Sequence, residues 1–258
     1  MKDPLAAVAD LPGVPQAVQE AREAVDRLYG HRVLRRRSPE VSAESALRGA
    51  RASAAIEGAE AELEPLRRGD VTDPVVQGAL RASAELGRLG KIWRSAPPQV
   101  LARLHTLAAT GVSADPGRPR TTPTSADPLG LGPAPGAEEA SVRMTALAGL
   151  VSGTTTAPAV VLAAIVHAEL VVLRPFGVVD GVVARAAERL TLVEHGLDPK
   201  SLVAVEVGHA DLGDAYAENL RAYLGGTAEG VAAWVRHCAS AVVLGARETT
   251  AVCEALSR

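Results

Sequence analysis

The chain has 258 residues, a formal charge of −3 and only 2% aromatic residues, enough length to bury one large core, with or without a helical extension. That charge gives no electrostatic basis for nucleic-acid binding by the whole domain. The most apolar run, AVVLAAIVHAELVVL (159–173), falls short of the roughly 20 apolar residues of a membrane span and carries His167 and Glu169, so it reads as a core helix.

Ala, Val and Leu dominate where Phe, Tyr and Trp are scarce, and Ala has the best intrinsic helix propensity, so the expected fold class is all-α. The opening MKDPLAAVADLPGVPQ has prolines where an export signal needs an unbroken apolar run, and the expectation is a cytoplasmic protein. Helical periodicity with caps then predicts helices over 16–29, ending at Gly30; from Ser38 and Pro39 to about residue 58; after Asp73 and Pro74; and over 97–110. The basic run HRVLRRRSPE (31–40) reads as a solvated segment or salt-bridge partner, with a phosphate or nucleic-acid contact as the alternative. Residues 112–137 are rich in proline and glycine and predict a long surface loop, a kind that tends to be functional or disordered.

Helices resume at 138–151, 158–173, 181–195, 211–224 and 228–256, with 158–173 apolar nearly all round and therefore central. The expected organisation is an N-terminal helical region, 1–95, ahead of a core, 96–258. Cys238 and Cys253 fall 15 residues apart in the last helix, which at about 1.5 Å per residue separates them by roughly 22 Å and rules out pairing.

RPFGVVDGVVAR (174–185) leaves the central helix and enters the next. The N-terminus of that second helix offers unpaired N–H groups to an anion, and Gly177 and Gly181 permit close backbone approach. Asp180 stands where an N-cap belongs, and its carboxylate is expected to take those same N–H groups. Val178 and Val179 are stiff, β-branched and ill suited to positive φ. Arg174 and Arg185 remain as cations for a phosphate or a carboxylate.

This loop resembles the HPFxxGNGRxxR motif of the Fic family, whose members transfer AMP or related groups from nucleotides to protein hydroxyls, and it aligns without a gap. LAAIVHAELVVL resembles the preceding family helix, and the proline-rich loop resembles the family's flap. SAAIEG (53–58) resembles the family's inhibitory signature, so that the resemblance spans roughly residues 40–250. It implies a Fic-like helical bundle with a central buried helix and an inhibitory helix within 40–58. Ser53, Glu57 and Gly58 are then regulatory, with Glu57 meeting Arg185, the last arginine of the loop. It further implies a nucleotide or anion site at Phe176, Gly177, Asp180, Gly181 and Arg185, with Phe176 filling the core beneath the loop.

The departures from the pattern are chemical. Arg174 stands at the position of the family's catalytic histidine, and a guanidinium with a pKa above about 12 has no free base at neutral pH. Losing a general base removes roughly 10²–10⁴-fold in rate. Val178 stands where an acidic magnesium ligand is usual, Val182 replaces the first arginine, and Val179 and Asp180 replace the glycine and asparagine of the anion loop. Pro119 and Pro123 remove donors from the flap edge that aligns a target segment in relatives.

The favoured reading is therefore a pseudoenzyme that acts by binding or regulation on an unidentified protein partner. The alternative is a nucleotide-dependent AMP transferase in which Arg174 stabilises a phosphate and Asp180 is the base. A third reading, an unrelated helical interaction protein, stays open, as do ATP with magnesium as a ligand and self-association into a homo-oligomer. No metal ligand set is legible: His105, His167, His195, His209 and His237 are scattered, with no i, i+4 pair. His167 reads as a hydrogen-bonded core residue, His195 with Gly196 as a helix end, and His209 with Asp211 and Asp214 as a weak metal candidate.

Overall fold

A computed structural model describes residues 3–124 and 126–257. It is built from helices in the order α1 (Pro4–Ala9), α2 (Val14–Tyr29), α3 (Leu34–Ile56), α4 (Leu63–Arg68), α5 (Pro74–Trp93) and α6 (Pro97–Ala109), followed by α7 (Ala137–Ser152), α8 (Ala159–Leu173), α9 (Asp180–Glu194), α10 (Val205–Asp211), α11 (Ala215–Leu224) and α12 (Ala228–Ala255). No strand occurs among the described residues, as the composition predicts. Among the described residues no helix is long and apolar enough to cross a membrane.

α8 is the centre. Every residue from Val160 to Leu173 is buried except Glu169, whose carboxylate is held by Arg143 at 2.7 Å and by the Tyr223 hydroxyl at 2.7 Å. α9 packs on α8, α5 packs on both α6 and α9, and α12 packs against α2, α10 and α11. Small residues set these approaches. A Cβ on Gly78 would overlap the Ala108 carbonyl, and one on Gly208 would overlap that of Ala241. Such backbone contact replaces the volume that aromatic side chains supply in other cores.

Where caps are strong the predicted ends hold. Asp73 accepts from Val75 N and Val76 N at 2.9 and 3.0 Å, and Pro74 opens α5. Three details differ. α3 begins at Leu34, ahead of Pro39, with a break at Arg37 (φ −120°, ψ 21°), so Ser38 and Pro39 restart a helix already turning. The predicted 211–224 helix starts later, as α11 at Ala215, because a separate helix, α10, ends at Asp211 and Gly213 takes φ 56° between them. α1 and α4, each of six residues, are too short for a periodicity to register.

Of the basic run, Arg32, Arg35 and Arg36 are exposed, and Arg37 pairs with Glu40 at 2.6 Å and the Leu256 carbonyl at 2.9 Å. Cys238 and Cys253 are both buried free thiols on α12.

Candidate functional site

The site lies where α8 ends and α9 begins, faced by the tip of α3 and by the proline-rich loop, which forms a strap. Ser53 and Glu57 lie one turn apart at the C-terminal end of α3, and Gly58 closes that helix with φ 87°. Arg185, from the second turn of α9, is fully buried. Its Nε donates to Ser53 Oγ at 2.9 Å, Nη2 to the Ser53 carbonyl at 2.9 Å and to Glu57 Oε1 at 2.8 Å, and Nη1 to the Tyr216 hydroxyl at 3.1 Å. The contact expected between Glu57 and Arg185 is thus present, as a buried ion pair. Gly181 makes room for it, since a Cβ there would overlap Glu57 Oε1. A second pairing lies one turn further along α9, where buried Arg189 donates to Ser45 Oγ at 2.8 Å and Ser201 Oγ at 2.8 Å and lies 3.2 Å from Glu206. Ser45 and Ser53 thus meet Arg189 and Arg185 in reverse chain order, so α3 crosses α9 antiparallel.

Asp180 corrects one expectation. It is the first residue of α9, not its N-cap, and the N-cap residue makes no side-chain cap bond. Its carboxylate turns back across the loop and accepts from Phe176 N at 2.9 Å and Gly177 N at 2.8 Å. The N-cap is Val179, with φ 47° and ψ 25°. The fold therefore imposes the left-handed conformation that its β-branched side chain disfavours, a strain of about 1–3 kcal/mol. Arg174 is left-handed too, at φ 45°.

Burial is the main influence on Asp180 and raises its pKa from 3.8 to about 7, against the two N–H donors and Arg120, with Glu57 adding to the rise. The native state keeps a proton up to about pH 7 that the unfolded chain loses near its ordinary value. Asp180 therefore withdraws stability as pH rises between about 4 and 7. Asp180→Asn lacks this dependence. Its stability relative to wild type should rise by about 2 kcal/mol between pH 5 and 7, as measured by urea unfolding at each pH. A difference independent of pH would mean that Asp180 is already ionised at pH 5.

Arg174 is buried, and its guanidinium is engaged by the strap. Nη1 donates to the Ala126 carbonyl at 2.6 Å, Nη2 to the Gly132 carbonyl at 2.6 Å, and Nη1 lies 3.3 Å from Asp127 Oδ1. Asp127 in turn accepts from Leu131 N and Gly132 N, each at 2.8 Å. Two further arginines that the sequence did not single out hold the same strap. Arg120 donates to the carbonyls of Leu173, Arg174, Thr122 and Pro135, and its backbone N–H to that of Pro175 at 2.8 Å. Arg221 donates to the carbonyls of Leu129 and Gly130. The available signal was a cation facing a helix C-terminus, where Arg120 meets the last carbonyls of α8.

Under the strap tip is a cavity of about 430 Å³, lined by Val112, Leu129, Val171 and Val178 and bordered by Glu57, Asp127, Asp180 and Arg174. Phe176 is half-buried against the core and stacks on His105, ring centroids 4.1 Å apart. The carbonyl of Gly177 (φ 86°) accepts from Thr124 Oγ1 at 3.3 Å. His195 caps α9 ahead of Gly196 (φ 79°), as its helix-end reading requires.

Three of these histidines, His167, His209 and His237, come together in space. His167 Nδ1 and His209 Nε2 lie 2.7 and 2.8 Å from the same oxygen of Glu188, and His237 Nε2 lies 3.1 Å from His209 Nδ1. His209 faces this core cluster and not Asp211 or Asp214. One-helix spacing misses it because α8, α9, α10 and α12 each contribute residues.

The sequence matches no family model and no curated protein. The structure is similar to a Fic family protein from Desulfovibrio desulfuricans G20, with TM-score 0.78 and 22% identity over 93% of this chain and 75% of that one. It is also similar to Fic-1 (aa134–508) from C. elegans, with TM-score 0.72 and 19% identity over 98% of this chain and 75% of that one. The chain has the Fic fold.

Proposed function

We propose that this chain is a degenerate Fic-fold protein that acts on a protein partner by binding or regulation rather than by AMP transfer. The observation that carries the reading is the engagement of Arg174: where the family resemblance implies a proton acceptor stands a permanent cation whose Nη1 and Nη2 bind the strap. Three features support it. Asp180 occupies the N–H groups of Phe176 and Gly177. The cavity wall is largely aliphatic, Glu57 and Asp127 stand at its border, and the cation that lines it, Arg174, is already bound by the strap, a poor arrangement for a polyphosphate. Glu57 sits against Gly181 at the start of α9 and holds Arg185, the one loop arginine that matches the family motif.

Wild type and Glu57→Ala are incubated with each nucleoside triphosphate and magnesium, then examined by intact-mass spectrometry and thermal shift. A ligand at 100 times its Kd would stabilise by about 2.7 kcal/mol. The expected result is no adduct in either protein and no shift in wild type. A nucleoside-monophosphate adduct would overturn the reading. It would favour the second one, a transferase in which Asp180 is the base, which rests on the pKa of about 7 that burial gives that carboxyl. Asp180→Asn should then abolish the adduct.

A further inference from the structure

The cluster behind the Glu57–Arg185 ion pair has an imbalance that hydrogen bonding leaves uncorrected. His167 (α8), Glu188 (α9), His209 (α10) and Cys238 (α12) are each at most 1% exposed, and one ligand atom from each lies within 4.8 Å of all the others. Glu188 Oε2 receives both imidazoles, at 2.7 and 2.8 Å, while Oε1 has no hydrogen-bond partner among the described residues. The two guanidiniums on the same helix are used elsewhere, Arg185 by Glu57, Ser53 and Tyr216, and Arg189 by Glu206, Ser45 and Ser201. A buried carboxylate with one oxygen left without a partner is costly.

We propose that His167 Nδ1, His209 Nε2, Glu188 and Cys238 Sγ form a closed, four-coordinate site for a divalent cation of the zinc class. Two imidazole nitrogens, one carboxylate and one thiolate are a ligand set suited to zinc. Their charges also cancel, since two anions and two neutral rings leave a divalent ion with no net charge in the core. Tetrahedral bonds of about 2.0–2.3 Å place ligand atoms about 3.3–3.8 Å apart. The two short contacts at Glu188 must therefore open, and the widest separation must close, by about 1 Å each.

The groups behind the ligands suit the change. With metal on Nδ1, the Nε2 hydrogen of His167 meets the Tyr216 oxygen 2.7 Å away. With metal on Nε2, the Nδ1 hydrogen of His209 meets His237 Nε2 at 3.1 Å. Binding releases the Cys238 thiol proton, and any imidazolium proton, to solvent as the metal–sulfur and metal–nitrogen bonds form. Four protein ligands leave no position for water or substrate, so the ion ties four helices together and performs no chemistry. This inference does not depend on whether the loop above is catalytically dead.

The test is cobalt(II) and zinc(II) loading of the full chain, refolded with a phosphine reductant and passed through gel filtration. Wild type should retain one equivalent of metal per chain. Its cobalt form should show tetrahedral d–d absorption and a near-ultraviolet thiolate-to-cobalt band. Cys238→Ser should lose the thiolate band and more zinc affinity than the about 10–100-fold typical of losing a group behind a ligand, while Cys253→Ser should keep both. Folding of each protein is followed by circular dichroism. Folded wild type that retains no metal overturns the site, as does a thiolate band that survives Cys238→Ser or vanishes in folded Cys253→Ser. Should Cys238→Ser fail to fold, the wild-type cobalt spectrum and the Cys253→Ser control decide the matter alone.

Discussion

Arg185→Ala should lower stability by about 3–5 kcal/mol, the usual result of removing one member of a buried ion pair. For a chain of this length that is roughly a 10 °C fall in Tm. The size follows from what remains behind. Glu57, with 9% of its side chain exposed, loses its partner at 2.8 Å, and the Ser53 carbonyl and Tyr216 hydroxyl lose a donor each. Glu57→Ala should be milder, about 1–3 kcal/mol, because the guanidinium keeps Ser53 and Tyr216. Equal losses in the two variants, measured by urea unfolding, would mean that Ser53 and Tyr216 contribute nothing to holding Arg185.

Arg174→Ala should release the strap without unfolding the core. Two charge-assisted hydrogen bonds and the approach to Asp127 disappear together, and bonds to charged groups contribute about 1.5–3 kcal/mol each. The loss should be local, about 3 kcal/mol, and should speed hydrogen exchange at the Leu131 and Gly132 amides by roughly a hundredfold. Tryptic cleavage within 112–136 should rise with it. Arg174→Lys should not rescue the strap, since a single ammonium lacks the forked geometry that reaches two carbonyls and a carboxylate. Unchanged exchange in Arg174→Ala would show that Arg120 and Arg221 suffice, and would remove the principal support for reading Arg174 as a structural residue.

The Glu57–Arg185 contact was legible in the sequence because it is written in two short local patterns, SAAIEG and RPFGVVDGVVAR, whose residues keep fixed positions on their helices. The central helix was legible because α8 has no polar face to disguise it. Asp180 was misassigned because an aspartate beside a helix start usually accepts from that helix, whereas here Val179 turns left-handed and aims the carboxylate backwards. The cluster around Glu188 escaped notice because its members lie up to 71 positions apart, from His167 to Cys238, and only packing makes them neighbours. Arg189 escaped for the same reason. Its acid, Glu206, comes from another helix and reads as an ordinary surface residue until α10 folds over it.

The three arginines that fasten the strap grip main-chain oxygens almost exclusively: Ala126, Gly132, Leu129, Gly130, Thr122 and Pro135 all present carbonyls. A carbonyl is the same in every amino acid, and proline, which has no amide hydrogen to offer, keeps it. Most side chains along this segment can therefore vary without unfastening it, Arg120, Thr124 and Asp127 being the exceptions. Such a segment is free to diversify its outward face while its path across the molecule stays put.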